Sequence, residues 1–343
     1  MRKMLNTLYV TTPDTYLSKD GENVVVRLEE KTLARYPLHN LEGICTFGYA
    51  GVSPALMGSC AEKGVDLTFM TKSGRFLARI VGEARGNVVL RKEQYRISDD
   101  ERRSALMARN MIVGKLYNTK WVLERAIRDY SLRLDSTALK RVSASLTELI
   151  GLVPHVEDLD VLRGLEGSGA AQYSGVFDEL ILQQKEAFFF HGRSKRPPLD
   201  NVNALLSFAY SLLASEMRAA LEAAGLDPYV GFMHRDRPGR ASLALDLMEE
   251  LRSVYADRFV LTLINKKIVT AGGFTRKENG AVLMDDDTRR TVLKQWQERK
   301  QEKIVHPYLN ESIPWGLVPH AQAMLLARTI RGDLEEYPPF FWK

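Results

Sequence analysis

From the amino terminus to about Tyr95 the apolar positions fall in short runs rich in β-branched and aromatic residues: Leu8-Tyr9-Val10, Val24 to Leu28, Ile44 to Phe47, Val65 to Phe69, Arg75 to Ile80 and Val88-Val89-Leu90. Asp20-Gly21, Ser73-Gly74 and Gly86-Asn87 punctuate them, so this region reads as a small β domain, residues 1–95. One helix interrupts it, with Ser53 as N-cap, Pro54 at the first helical position and Gly64 as the stop. After residue 95 the period changes. Ser98-Asp99-Asp100-Glu101 has capping-box spacing, and Ala108, Ile112, Leu116, Leu123 and Ile127 recur close to every 3.6 residues. Further helices are predicted over 143–152, 159–190, 202–224, 243–259 and 288–303, while the tail from Ile330 to Lys343 carries little pattern and reads as flexible. The fold class is therefore α+β: an N-terminal β domain followed by a larger all-α domain, residues 96–343.

Composition narrows the function classes only modestly. At 343 residues with 45% hydrophobic and 27% charged positions, the chain is an ordinary folded protein rather than a disordered or fibrous one. Its two cysteines, Cys45 and Cys60, sit in no zinc-binding pattern and read as free buried thiols. No signal-type leader and no apolar stretch of about 18 residues is present, so the expectation is a cytoplasmic protein without membrane contact. Lys and Arg exceed Asp and Glu by 48 to 43, which favours a polyanionic partner without requiring one. The glycine patterns of dinucleotide and nucleotide-triphosphate binding, and the serine-hydrolase elbow, are absent.

Two segments could carry chemistry. In Arg163-Gly-Leu-Glu166-Gly-Ser-Gly-Ala-Ala-Gln-Tyr173, small residues around Glu166 allow a nucleic-acid backbone to approach its carboxylate, or simply another helix to pack. In the second, the loop from Gly231 to Arg240 carries His234 and runs into a helix on which Asp246 and Glu249 stand at i and i+3. Two carboxylates beside an imidazole can make a metal site, and this mixed oxygen and nitrogen set suits Mn²⁺ or Mg²⁺ better than structural zinc. Arg235, Arg237, Arg240 and Arg252 surround these acids and could grip phosphates, or merely pair with the acids themselves. Arg102, Arg103, Arg109, Lys115 and Lys120 are expected to extend a basic track along the first long helix.

Taken in order, Pro37-Leu-His-Asn-Leu-Glu-Gly-Ile44, Phe47-Gly48, Arg163-x-x-Glu166, Ala170-Ala171-x-Tyr173, Asp200-Asn-Val-Asn-Ala-Leu-Leu206 and Gly231-Phe232-x-His234 resemble the CRISPR-associated adaptation endonucleases, the integrase subunits that insert new spacers into a CRISPR array. The run from Leu5 to Val10 and Gly48-Tyr-Ala-Gly-Val-Ser-Pro54 look closest to the subtype I-C branch.

The resemblance implies a β domain that builds a homodimer and a helical catalytic domain holding one Mn²⁺ or Mg²⁺ through Glu166, His234 and Glu249, with Asp246 as an auxiliary acid. Many relatives carry Asp where Glu249 stands. It further implies transesterification, in which the 3′-hydroxyl of a spacer duplex attacks the edge of a CRISPR repeat, together with a small second adaptation protein as partner. Arg163, Arg237 and Arg252 are expected to contact phosphates, Arg235 and Arg240 to lie in the same DNA surface, and Tyr173 to pack by the site or against a base. A standalone structure-specific nuclease and a non-catalytic nucleic-acid scaffold remain the competing readings.

Overall fold

The computed structural model describes residues 6–72, 74–82, 88–134 and 136–342, so Ser73 and the expected Gly86-Asn87 turn lie outside the described residues. The chain divides into two compact units, the first comprising 1–85, 284–303 and 314–317, and the second 86–283, 304–313 and 318–343.

The first unit holds strands β1 (Thr7–Val10), β2 (Thr15–Asp20), β3 (Asn23–Leu28), β4 (Lys31–Pro37), β5 (Gly43–Phe47) and β6 (Gly51–Val52), helix α1 (Pro54–Lys63), then β7 (Asp66–Met70) and β8 (Phe76–Ile80). They form two four-stranded sheets, ordered β1-β5-β7-β8 and β4-β3-β2-β6. Within the first sheet β1, β5 and β7 are parallel and β8 is antiparallel to β7. Leu17, Val24, Val26, Leu38, Ile44, Leu56, Cys60 and Leu67 bury together in one core. Helix α1 forms where local chemistry dictates it: the Ser53 hydroxyl accepts from the Leu56 amide, Pro54 opens the first turn, and Gly64 closes it at φ 69°. Both cysteines are buried and neither forms a disulfide among the described residues, as their sequence setting implied.

In the second unit, α2 (Val88–Asp99), α3 (Glu101–Tyr130), α4 (Ser136–Leu152), α5 (Leu159–Val176), α6 (Asn201–Ala223), α7 (Ser242–Leu251) and α8 (Arg258–Asn265) dominate. A π-helical segment, Arg252–Asp257, joins α7 to α8. The chain continues through β9 (Phe274–Arg276), β10 (Val282–Met284), α9 (Asp286–Gln301), β11 (Lys303–Val305), β12 (Ser312–Pro314) and α10 (Val318–Arg331). Among the described residues no helix is long and apolar enough to cross a membrane.

Several sequence expectations change. Val88-Val89-Leu90 opens α2 rather than forming a strand, because the buried positions of that segment are Leu90, Gln94 and Ile97, a helical i, i+4, i+7 series. The helix expected over 159–190 stops at Val176, followed by a short 3₁₀ turn at Phe177–Leu180 and irregular chain. The expected division at residue 95 falls instead at 85/86, and α9 belongs to the first unit. There Arg289, 2% exposed, donates to the Lys72 carbonyl at 2.9 Å. The capping residue of α3 is Asp100, which accepts from the Arg103 amide at 3.0 Å.

The tail expected to be flexible is bound in place. Tyr337, Phe340 and Trp342 are buried, and Asn118 of α3 donates to the carbonyls of Phe340 (2.7 Å) and Glu250 (2.6 Å) while accepting from the Trp342 amide (2.8 Å). Glu250, fully buried on α7, accepts from the Tyr337 hydroxyl, from Gln322 at 3.0 Å and from the Phe340 amide at 2.8 Å. Burial still pushes its carboxyl up to about 7, against the opposing pull of those donors. A folded-state pKa above the ordinary 4.5 means that the associated stability is fully present below 4.5 and lost as pH rises through 7. Relative to Glu250→Gln, wild-type protein in EDTA is therefore expected to lose roughly 3 kcal/mol between pH 4.5 and pH 8. Melting temperatures of the two proteins across that range check this, and a constant difference would refute it.

Candidate active site

Three helices of the second unit meet where α3, α5 and α7 pack. The contact between α3 and α5 depends on Gly169: a Cβ built there would stand 2.4 Å from the Leu116 side chain. With no Cβ at that position, α5 lies close enough to α3 for Glu166, one turn earlier, to meet Lys115, which precedes Leu116. The small-residue run thus serves a helix–helix approach at Gly169, the plainer of its two sequence readings. Lys115 ion-pairs with Glu166 and, through Oε2 at 2.6 Å, with Glu249 of α7. It is 7% exposed. Burial by itself would raise the Glu249 pKa, but the Lys115 ammonium and then the Arg252 guanidinium outweigh it and hold the carboxyl at about 2. Glu249 is therefore ionised throughout the physiological range.

His234 reaches the same region on a loop anchored from both ends. Gln94 of α2, fully buried, donates to the carbonyls of Asp227 and Val230 at 2.8 Å and accepts from the Asp227 amide at 2.9 Å, and Ser98 donates to the Gly231 carbonyl at 2.7 Å. Downstream, one carboxylate collects the loop: Asp246 accepts from the amides of Phe232 (2.7 Å), Met233 (2.9 Å) and His234 (3.0 Å), and stands 2.5 Å from His234 Nδ1. Gly231 makes this possible, since a Cβ there would lie 2.7 Å from Asp246 Oδ2 and 2.9 Å from Ser242. Arg163, one turn before Glu166, donates to the Met233 carbonyl at 2.8 Å and so ties α5 to the histidine loop.

Asp246 is thus filled by four donors of the loop it holds, which makes it a positioning acid. With Nδ1 committed to Asp246, the other ring nitrogen of His234 is the one free to bind a ligand. Among the described residues, no three His, Cys, Asp or Glu side chains already stand as a metal-holding group; between Glu166 and Glu249 stands the Lys115 ammonium. The donor set nevertheless fits a hard divalent ion: two carboxylates already gathered around one positive charge, and a nearby imidazole in fixed orientation.

The arginines divide. Arg235 and Arg237 are exposed and Arg240 half-buried, with Arg235 bound to Asp160 at 2.9 and 3.1 Å. Arg163 also pairs with Asp160 at 2.6 Å. Arg252 donates to Glu249 at 3.2 Å and lies 4.5 Å above the Tyr210 ring, so its charge is engaged inside the protein. Tyr173 is buried against Phe177, edge to face at 5.7 Å, and does not offer its ring to a base. The expected basic track is interrupted as well: Arg102 pairs with Glu157, Arg103 with Glu93, Arg109 with Glu336, and Lys115 is internal.

Sequence reasoning put Lys115 on a basic surface and passed over Gln94. The signal for Lys115 was present, since it falls four residues after Met111 and beside Leu116 on the buried face of α3, where a cation needs an anionic partner. Gln94 has the same signature on α2, between Leu90 and Ile97.

A family model described as CRISPR associated protein Cas1 matches residues 8–298. The chain is 49% identical over 343 residues to the CRISPR-associated endonuclease Cas1 1 of Chlorobaculum tepidum, with 100% of each chain covered. A casposase bound to integration product shares the fold at TM-score 0.84 and 21% identity, over 98% of this chain and 94% of that one. A Cas6-RT-Cas1–Cas2 complex shares it at TM-score 0.80 and 21% identity, over 98% of this chain and 36% of that one. The protein belongs to the Cas1 family of CRISPR-associated proteins.

Proposed function

We propose that this chain is a metal-dependent DNA endonuclease and integrase that inserts spacer duplexes into a CRISPR repeat array. Glu166, Glu249 and the free ring nitrogen of His234 would hold one Mn²⁺ or Mg²⁺. The observation that carries the reading is the meeting of Glu166 and Glu249 on Lys115, beside a histidine whose other nitrogen is already engaged by Asp246. It gains support from the endonuclease name of the Chlorobaculum tepidum relative and the integration product held by the casposase.

Bound there, the ion would polarise the scissile phosphate and stabilise charge developing on the attacking or leaving oxygen. This chain's own residues do the remaining work. Asp246 fixes the tautomer and aim of His234, and Arg252 holds the Glu249 carboxylate through Oε1. Arg235, Arg237 and Arg240 stand on the histidine loop for duplex phosphates to reach, whereas Arg163 anchors that loop to α5. A donor 3′-hydroxyl attacking the repeat phosphodiester gives strand transfer; water in its place gives cleavage at the same centre.

Two assembly statements complete the reading. A small Cas2-type protein is the proposed partner, on the pattern of the Cas1–Cas2 complex with which the fold is shared. A homodimer is proposed through the β unit, where β4 is a sheet edge and Leu33 and Tyr36 on it are 42% and 41% exposed.

The test incubates the purified protein, with and without that partner, with a short duplex and a supercoiled plasmid carrying the repeat array. Strand-transfer products that require Mn²⁺ or Mg²⁺ and vanish in EDTA are expected, from a protein that light scattering weighs as a dimer. Hydrolysis without strand transfer would mark a standalone nuclease, and DNA binding without either product a scaffold.

A further inference from the structure

Lys115 presents an unusual arrangement: it is only 7% exposed, lies at the middle of a 30-residue helix, and holds its ammonium between two acids from two other helices. Those acids, Glu166 and Glu249, are the two proposed for the divalent ion. We infer that Lys115 is the resident cation of this site: it holds the two carboxylates together in the metal-free protein, and it competes with the divalent ion for them.

Glu249 is almost buried and its second neighbour in charge, Arg252, reaches Oε1, whereas Lys115 takes Oε2. Glu166 is a fifth exposed and meets Lys115 from α5. Without Lys115, two carboxylates brought within reach of one ammonium would face each other in a largely desolvated place, and α5 and α7 would be pushed apart locally. With Lys115 in its present position, a divalent ion between the same oxygens would face a positive charge at hydrogen-bond range. The flexible four-carbon stem lets the ammonium withdraw as the ion enters, so ion binding must first displace an existing ion pair. The site is thereby kept assembled before loading, at some loss of ion affinity.

This inference rests on the metal reading of the preceding subsection, and calorimetric Mn²⁺ titrations with no DNA present separate the two. Lys115→Met should bind Mn²⁺ at least about tenfold more tightly than wild type, because the competing charge is gone. Its melting temperature in EDTA should fall below wild type and recover on adding Mn²⁺ by more than the wild-type increment. Lys115→Arg, which keeps a cation, should stay close to wild type in both measurements. If Lys115→Met melts too early to titrate, recovery of its transition by Mn²⁺ is the supporting result and failure to recover overturns the inference. Unchanged or weaker Mn²⁺ binding by Lys115→Met, while Glu166→Ala and His234→Ala lose binding, overturns the role of Lys115 and leaves the metal reading standing. Wild-type protein that binds no Mn²⁺, or binds it undiminished after Glu166→Ala and His234→Ala, overturns both.

Discussion

Replacing His234 by alanine is expected to lower metal-dependent strand transfer and cleavage by about a thousandfold or more, with little change in melting temperature. Stabilisation of a developing phosphoryl charge by a held ion amounts to several kcal/mol, and about 1.4 kcal/mol corresponds to each factor of ten in rate. The effect on folding should be small because the imidazole is partly exposed, at 21%, and most loop anchoring passes through backbone amides to Asp246 and through Gln94. A gel assay of strand transfer beside a calorimetric scan decides the matter. Wild-type activity in a well-folded His234→Ala protein would move the catalytic centre elsewhere.

Asp246 should behave in the opposite proportion, because it acts on structure as well as on chemistry. Asp246→Ala leaves the buried amides of Phe232 and Met233, and that of His234, without their acceptor. An abandoned buried donor costs about 1–3 kcal/mol, so destabilisation of roughly 3 kcal/mol or more is expected, together with loss of strand transfer. Asp246→Asn keeps the volume but turns amide hydrogens toward some of those donors. It should cost about 10- to 100-fold in Mn²⁺ affinity or activity, the usual penalty for disturbing the group that orients a ligating histidine. Mn²⁺ titration and thermal scans of both variants measure these effects separately. An Asp246→Ala protein as stable as wild type would mean that the loop is held chiefly from the Gln94 side.

The acids Asp246 and Glu249 of α7 differ in role although they lie side by side at i and i+3. Sequence spacing gives Asp246 and Glu249 equal standing as ligands. Packing separates them: Asp246 points back into the amides of the loop that precedes its helix, whereas Glu249 points toward Lys115 and Arg252. Glu250, next in sequence, faces the opposite way and clamps the carboxyl-terminal tail. Three acids within five positions therefore serve loop positioning, the proposed ion site and tail docking.

Much of the architecture is legible in the sequence because it is set locally. Ser53, Pro54 and Gly64 determine α1 through a cap, a preset φ and a left-handed stop, and the change from short β-rich runs to a 3.6 period separates strands from helices. The resemblance carried by the motifs around Glu166 and His234 likewise named the family that the whole-length match establishes. Other features depend on partners remote in the chain. Lys115 finds its acids 51 and 134 positions away, Arg289 carries α9 back to residue 72, and the buried hydroxyl of Tyr337 finds its acceptor in Glu250, 87 positions earlier. A residue's sequence neighbours decide its backbone conformation, through caps, turns and periodicity; whether a charge lies on a DNA-facing surface or inside an ion pair is decided by which helices pack against it, and only the tertiary structure contains that.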